Sequence, residues 1–322
     1  MTNFQVYRKT LSFSFVMFLV DLVALAALVG CATAGFFIAN SSTSRALIGL
    51  GIGFVVGIII SALINFFVNN RIRAAQIAMM TKGVVEDQLP DHTFKSGLEE
   101  MKGRFGKITA FFVITGLIKG AFRQLGRAVN RLGTAIGGDV GNTVTSVIDS
   151  AIQTLIAYLC DCCLGWILYR KDENSAKAGC EGAVIFFKHG KTLIRNVGRI
   201  FGMGFLSLAI FGGAFFGIFY LVFNTQPQMF TALAQEISDA AARGETTLPY
   251  FLTDPTYLML FACGFGGVIG FFIVHSVFVR PFILVGVLRN FMAAGQAHIP
   301  TEEDFKELDA KSPKFARLHK SY

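Results

Sequence analysis

The sequence has few charged residues, and this scarcity restricts the folds that it can adopt. Only 16% of its 322 residues are Asp, Glu, Lys or Arg, whereas soluble domains contain about 25%. Hydrophobic residues make up 53% of the chain and occur in long runs. Such runs argue against a water-soluble fold. They predict an all-α fold, that of a polytopic helical membrane protein.

The sequence also lacks the patterns of several kinds of chemical site. Cys160, Cys162 and Cys163 include a CxxC spacing, but no second pair or neighbouring histidine completes a zinc site. The GKT at 190–192 has no glycine at the spacing that a phosphate-binding loop requires. No nucleophile motif is present. We therefore predict no enzyme activity, metal or cofactor, and we interpret the cysteines as small apolar residues of a membrane helix.

The basic residues do not form a separate surface of the kind that binds nucleic acid, although the net charge is +8. They lie between the apolar runs, where the positive-inside rule places them in the cytoplasm. Segments 69–107 and 176–199 and the tail are therefore predicted to be cytoplasmic. The acidic loop 224–255 is predicted to be external. Both termini are therefore predicted to be cytoplasmic.

Long apolar runs mark the predicted membrane spans. The segments are 11–39, 47–68, 108–122, 144–169, 200–223 and 256–279. The basic segments before and after 108–175 are both predicted to be cytoplasmic, so the chain must cross the membrane an even number of times between them. Two crossings there, 108–122 and 144–169, give six spans in total. Because 108–122 is short for a hydrocarbon layer of about 30 Å, four spans are the alternative, with 108–131 at the interface and 144–169 re-entrant.

These spans divide the chain into five predicted segments. They are an N-terminal transmembrane hairpin (1–68), a cytoplasmic basic loop (69–107), a short membrane or interfacial segment with a transmembrane helix (108–175), an amphipathic helix with the C-terminal transmembrane pair (176–289) and a cytoplasmic tail (290–322). The tail is charged and predicted to be partly disordered.

Three acidic residues, Asp21, Asp149 and Asp161, fall inside predicted spans. A charge at the centre of a membrane helix costs roughly 2.5–3.5 kcal/mol on insertion scales, so it normally faces a partner or water. We predict that these acids form a pathway for a small cationic solute or for protons. The alternative is that Asp21 and Asp149 pair with Lys119 or Arg123 and only fix helix packing. His275 is interpreted as an ordinary interfacial histidine.

Two basic helices are predicted to lie at the membrane surface and contact anionic headgroups. The first is the ridge of cations spaced by four in 108–131, and the second is 176–199, whose apolar side is predicted to face lipid. The candidate headgroup or anion contacts are Lys119, Arg123, Arg127, Arg131, Lys188, Lys191 and Arg195. The apolar side of the second helix comprises Ala183, Val184, Phe187, Ile194 and Val197.

Small residues recur at every fourth position of the second predicted span. They are Gly49, Gly53, Gly57 and Ser61. Residues at this spacing share one helix face, where the backbone of another helix can approach closely. The pattern predicts a packing face rather than a chemical site.

A short element after the 144–169 span resembles the choline transporter-like family. The element consists of Ser175, Ala176 and Lys177, followed in the next helix by Arg195 and Asn196. Across 150–300 the order of span, amphipathic helix, span, external loop, last span and tail is similar to the C-terminal half of that family. This chain is shorter, with fewer predicted spans and no large external domain.

The sequence thus favours a permease-like or channel-like protein that moves a small, cationic solute. Two alternatives remain open. One is a non-transporting scaffold that binds anionic lipid or a partner through its basic helices. The other is a homo-oligomeric pore in which the arginines of 123–131 line an anion path.

Overall fold

The computed structural model describes residues 1–38, 43–102, 141–194, 197–242 and 253–320. In these ranges the chain is helical and contains no strand, which confirms the all-α prediction. The helices are α1 (Asn3–Ile38), α2 (Thr43–Ile64), α3 (Asn70–Val85), α4 (Thr93–Lys102), α5 (Gly141–Tyr169), α6 (Ser175–Ile194), α7 (Val197–Ser207), α8 (Gly213–Asn224), α9 (Pro227–Ala242), α10 (Pro255–Val274), α11 (Arg280–Ala297), α12 (Glu302–Lys311) and α13 (Pro313–His319).

Three π-helical turns interrupt the described helices. Asn65–Asn69 joins α2 to α3, Leu208–Gly212 joins α7 to α8, and His275–Val279 joins α10 to α11. The backbone stays helical through each turn, so each pair forms one continuous helical rod. A π turn inserts one extra residue into a helix and is frequent at functional positions.

Four of the described helical rods are long and apolar enough to cross a membrane. They are Asn3–Ile38, Ile48–Val85, Ile200–Asn224 and Pro255–Ala297. The predicted membrane-type helices are therefore present at these four places. The 108–122 segment lies outside the described residues, so the choice between six and four spans stays a prediction.

The described chain divides into two compact units. The first comprises Met1–Gly198 and Pro281–Tyr322, and the second comprises Arg199–Arg280. The first unit contains two kinds of structure, which we call the first hairpin (18–68) and the helical body (3–17, 70–102, 156–189 and 281–319). We call 200–274 of the second unit the second hairpin.

The first hairpin consists of α1 and α2 packed through small residues. A Cβ atom on Gly53 would overlap the carbonyl oxygen of Cys31, and one on Gly57 would lie 2.9 Å from the Cα of Leu28. The Ser61 hydroxyl donates a hydrogen bond of 2.7 Å to the carbonyl oxygen of Ala24. The outward side chains, by contrast, are apolar and exposed. The two backbones are thus in close contact, and the surface around them suits lipid.

The helical body buries its apolar side chains against protein. Trp166 on α5, Ile77 on α3 and Leu288 on α11 are almost completely buried. A hydrogen bond of 2.7 Å from Arg289 Nε to Asn3 Oδ1 ties α11 to the start of α1. The body therefore has a protein core of its own, assembled from segments that are far apart in the sequence.

Two predictions for the body are corrected by this packing. The first half of 69–107 is not a loop, because α3 is helical and buried along most of its length. The tail is not disordered over its described residues, because Phe305, Leu308 and Phe315 pack into a core with Cys160 and Cys180. Both segments were assigned from their charge, but each has an apolar side that contacts other helices.

The predicted lipid-facing side of the 176–199 helix is also corrected over its described part. Ala183 and Val184 are buried in the same core as the tail, and Phe187 packs against it. The apolar stripe of α6 therefore contacts protein. An amphipathic pattern identifies an apolar surface but does not distinguish a lipid from a protein neighbour.

The second hairpin packs glycines against aromatic rings. Cβ atoms on Gly266 and Gly270 of α10 would strike the rings of Phe219 and Phe215 on α8. Helix α10 begins at Pro255, and the Asp254 side chain caps it by accepting hydrogen bonds from backbone N–H groups of the first turn. The outward side chains of this hairpin are again apolar and exposed.

Candidate functional site

The base of the first hairpin, where it joins the helical body, carries a cluster of polar side chains. The Asn69 side-chain amide donates to Asp21 Oδ1 at 2.6 Å and to Asn65 Oδ1 at 2.5 Å. Asn65 and Asn69 are the first and last residues of the π turn. We call this group the Asp21–Asn65–Asn69 cluster.

The cluster lies among exposed apolar residues. On α1, Leu19, Leu22 and Val23 around Asp21 are exposed, and the exposed residues continue to Ile38. At 1.5 Å per residue, Asp21 is roughly 25 Å along the helix from Ile38. Exposed apolar side chains also precede Asp21, at Phe4 and Phe15, so Asp21 lies near the middle of the rod Asn3–Ile38.

A second polar contact joins α1 to α3 deeper in the body. The Gln76 side-chain amide donates to Ser14 Oγ at 3.0 Å and to the Thr10 carbonyl oxygen at 3.4 Å. Gln76 follows Asn69 by seven residues, and Ser14 precedes Asp21 by seven. Helices α1 and α3 run in opposite directions, so this equal spacing places the Gln76–Ser14 contact two turns from the Asn69–Asp21 contact along the same pair of helices. This spacing is visible in the sequence, but it was overlooked because 69–107 was interpreted as a loop.

Asp161 has a basic partner, which corrects its assignment as an uncompensated acid. The Arg73 guanidinium lies 2.6 Å from Asp161 Oδ2, and Asp161 is buried. Arg73 belongs to α3, the helix that the sequence interpretation placed in the cytoplasmic loop. The pair neutralises Asp161 and links α3 to α5, so we remove Asp161 from the candidate pathway.

Lys188 is also engaged by protein rather than available for a headgroup. Its ammonium group forms an ion pair with Asp304 of α12, which accepts as well from the Thr301 backbone N–H and lies 3.0 Å from His298 Nε2. Burial would raise the pKa of Asp304. The hydrogen bonds from Lys188, Thr301 and His298 outweigh burial and hold that pKa well below its usual range.

Several predicted site residues cannot be placed. Asp149 lies in helix α5 and Lys191 in α6, but their side chains are not among those described. The remaining candidate headgroup contacts lie outside the described residues. These are Lys119, Arg123, Arg127, Arg131 and Arg195.

The predicted small-residue face lies at the contact between α1 and α2. Gly53, Gly57 and Ser61 meet α1 there, and a Cβ atom on Gly35 of α1 would overlap the carbonyl oxygen of Gly49. The structure thus brings all four small residues together on one side of α2.

His275 has a specific partner within the second unit. Its Nδ1 lies 2.9 Å from Ser207 Oγ, and the Ser207 hydroxyl donates to the Gly204 carbonyl oxygen at 2.8 Å. Ser207 precedes one π turn and His275 begins another. The second unit therefore also has a polar contact next to a π turn.

The chemistry of the Asp21–Asn65–Asn69 cluster is dominated by acceptors. The Asn69 NH2 group is used by two oxygens, and Asn69 Oδ1 is buried without a partner among the described residues. No group of three or more His, Cys, Asp or Glu side chains in the described ranges is arranged to hold a metal ion. The cluster is therefore suited to a cationic or proton-donating group.

No family model, curated protein or solved structure matches this chain. The resemblance to the choline transporter-like family accordingly remains a hypothesis from the sequence.

Proposed function

We propose that the protein is a multi-pass integral membrane protein that moves a small cationic solute, and that the Asp21–Asn65–Asn69 cluster contacts this solute. The membrane class is supported by the four long apolar rods and by the exposed apolar surfaces of both hairpins. Six spans with both termini in the cytoplasm complete the proposal, since this arrangement satisfies the positive-inside rule.

The observation that supports a cationic solute is the shortage of donors around Asp21. An ionised carboxylate at membrane depth needs a compensating positive group. Within the described residues, Asp21 accepts a hydrogen bond from an amide and forms no ion pair, whereas Asp161 has Arg73. The unpartnered Oδ1 of Asn69 adds a further acceptor. An ammonium group or a hydrated metal cation would supply what both oxygens lack.

Uptake into proteoliposomes tests this proposal. Purified protein is reconstituted, and uptake of radiolabelled choline, ethanolamine and rubidium is compared with that of the neutral solute glycerol. We expect a saturable flux of at least one cation, reduced about tenfold or more in Asp21→Asn because the charge that attracts the cation is removed. The matched control is Asp91→Asn, the same change at an exposed acid of the helical body.

Two outcomes would reject the transport proposal. One is the absence of flux for every cation from protein that remains monodisperse. The other is an equal flux in Asp21→Asn and wild type. An anion-selective current that disappears when Arg123, Arg127 and Arg131 are neutralised would instead support a pore.

The scaffold alternative is favoured by the helical body, which gives the first unit a large folded region with a protein core. Because α6 uses its apolar face and Lys188 within the protein, the lipid or partner contact would fall to the 108–131 ridge. Reversing the charge of Arg123, Arg127 and Arg131 should then abolish co-purification of anionic lipid while cation uptake is unchanged. Loss of uptake with lipid retained would contradict the scaffold.

A further inference from the structure

A cleft of about 450 Å³ lies between the start of α1 and the segment that leads into α4. Lys9 and Ser12 line it from α1, and residues 91–95 line it from the other side. The rings of Phe13 and Phe94, whose centroids are 4.9 Å apart, hold the two sides together. The volume is within the roughly 300–1,000 Å³ of ligand pockets. The cleft is therefore large enough for a phosphate group and its substituents.

Three nitrogen-bearing side chains make the cleft suitable for an anion. Lys9, His92 and Lys95 line it and are exposed. The Lys9 ammonium group donates a hydrogen bond of 3.5 Å to the carbonyl oxygen of Leu89, which holds it towards the segment before α4. Within the described residues neither Lys9 nor Lys95 forms an ion pair, whereas Lys188 does. Ammonium groups and an imidazole N–H form strong hydrogen bonds with phosphate oxygens.

Asp91 is the acid in the described lining of the cleft, and it is exposed. Water and salt screen an exposed carboxylate, so it weakens the binding of an anion without preventing it. Asp91→Asn should therefore leave the affinity for an anion unchanged or raise it. A loss of affinity in this variant would show that the ligand is a cation.

The cleft lies next to an exposed apolar face of α1. Ser12, Leu19 and Val23 are separated by seven and four residues, so they lie on one side of the helix. Leu19 is 60% exposed and Val23 is 59% exposed. At 1.5 Å per residue, Leu19 is roughly 10 Å from Ser12 along the helix. The predicted span begins at Leu11, so the cleft lies at its predicted cytoplasmic end, the level of the lipid headgroups.

We propose that the cleft binds the phosphate of an anionic phospholipid, with phosphatidylglycerol as the reference lipid. Lys9 and Lys95 contact the phosphate oxygens, and His92 donates a further hydrogen bond. An acyl chain of the same lipid lies along Leu19 and Val23. A lipid thus uses both the basic cleft and the apolar face, whereas free phosphate would use the cleft alone. This inference goes beyond the proposed transport function, does not depend on it and rests on residues other than the 108–131 ridge.

Quenching of tryptophan fluorescence by brominated lipids tests the proposal in proteoliposomes. Leu19→Trp places a reporter beside the proposed acyl chain. Leu221→Trp makes the same replacement at a 69% exposed position of the second hairpin. Wild type, whose only tryptophan is the buried Trp166, supplies the baseline. We expect brominated phosphatidylglycerol to bind near residue 19 about twentyfold more tightly than brominated phosphatidylcholine, because each lysine contributes about fivefold. We expect no such preference at residue 221.

The two lysines are tested by Lys9→Gln and Lys95→Gln in the Leu19→Trp background. Each change should lower the preference for phosphatidylglycerol about fivefold, and the double variant should abolish it. The matched control is Lys306→Gln, the same change at an exposed lysine of α12, which should have no effect. Inorganic phosphate and glycerol 3-phosphate at millimolar concentration distinguish the two sources of phosphate, since neither should displace the lipid.

The proposal is rejected if both brominated lipids quench Leu19→Trp equally, or if the preference persists in the double lysine variant. Displacement by inorganic phosphate would overturn the lipid source and assign the cleft to a soluble phosphate compound. Native mass spectrometry of wild type with equal amounts of the two lipids needs no variant, so it is decisive even if Leu19→Trp fails to fold. Equal retention of both lipids would reject the proposal. Absence of a lipid preference with cation uptake intact would overturn this site alone.

Discussion

The first hairpin and the helical body use similar apolar residues in opposite ways, even along a single helical rod. In the rod Ile48–Val85, Ile52 is 62% exposed, whereas Ile77 is 1% exposed. The change occurs across the π turn Asn65–Asn69. In the rod Pro255–Ala297, Phe272 is 61% exposed and Leu288 is fully buried, and the turn His275–Val279 lies between them.

This difference shows that the rods are continuous in the backbone but not in their surroundings. Among the described residues the outward apolar side chains of both hairpins are exposed, which suits a lipid-like environment. The body is stabilised by close packing and by buried polar pairs. Substitutions should therefore have different consequences in the two regions.

The largest effect is expected in the body, where Glu181→Ala removes the partner of two buried donors. Glu181 accepts from Trp166 Nε1 at 2.8 Å and pairs with Arg170 at 3.3 Å. Glu181→Ala leaves the buried Trp166 N–H without a partner and removes one of the two partners of Arg170, so it should lower the free energy of unfolding by about 3 kcal/mol. Thermal unfolding followed by Trp166 fluorescence measures this.

The matched control is Glu173→Ala, which removes a partly exposed partner of the same arginine. Its effect should be no more than about 1 kcal/mol. Equal losses from both variants would show that the body does not depend on the buried pair.

The next effect is expected in the first hairpin. Gly53→Ala places a methyl group against the carbonyl oxygen of Cys31 and should force α1 and α2 apart, at about 1–3 kcal/mol. Gly51→Ala on the same helix meets nothing within 4 Å and should be neutral. Disulfide trapping between cysteines introduced into α1 and α2 reports the separation. Similar trapping in both variants would contradict the close contact.

A smaller effect is expected where the tail packs on α6. Asp304→Asn weakens the contact with Lys188 and the cap at Thr301, so the tail should detach more readily, at about 1–2 kcal/mol. Burial raises the pKa of the Cys180 thiol to about 12, so this residue should resist maleimide at pH 7.5 in wild type. We expect faster labelling of Cys180 in the variant.

Acidification should have the same effect on wild type. Because the pKa of Asp304 is lowered in the folded protein, its contribution is complete above the ordinary carboxyl value of about 3.9 and is lost as the pH falls below it. Limited proteolysis of the tail should therefore accelerate below about pH 4 in wild type and depend less on pH in Asp304→Asn. A pH profile identical in the two proteins would exclude this role.

The smallest effect on stability is expected at Asp21. Asp21→Asn keeps an oxygen that can accept from Asn69, so the free energy of unfolding should change by less than about 1 kcal/mol. Thermal unfolding in the detergent used for the uptake assay checks this. A large loss of stability would show that the cluster holds the hairpin together rather than contacting a solute.

The sequence was sufficient to predict the helical class and the four long apolar segments, because runs of apolar residues determine both. It was also sufficient to place Gly53, Gly57 and Ser61 on one face, since period and residue size are local properties. It was not sufficient to show that the buried face of α3 or the stripe of α6 contacts protein. The same apolar residue types occur on surfaces that face lipid and on surfaces that face another helix, so residue type does not distinguish the two.

The candidate site was predicted only in part for a related reason. Asp21 stood out as an acid in an apolar run, but its partners Asn65 and Asn69 are neutral and drew no attention. Arg73 was assigned to a loop by its charge, so its pairing with Asp161 was missed. Partner identity depends on which helices pack together, and a single sequence does not record this.

The contact between Arg289 and Asn3 sets an order for biogenesis. The first hairpin is made of neighbouring residues and is able to form as soon as the ribosome has released about 70 of them. The body instead needs the start of α1, the middle of the chain and α11 to α13 together. We expect newly made chains to be anchored early and to stay protease-sensitive until translation is complete, so assembly of the body is the step at which quality control would act.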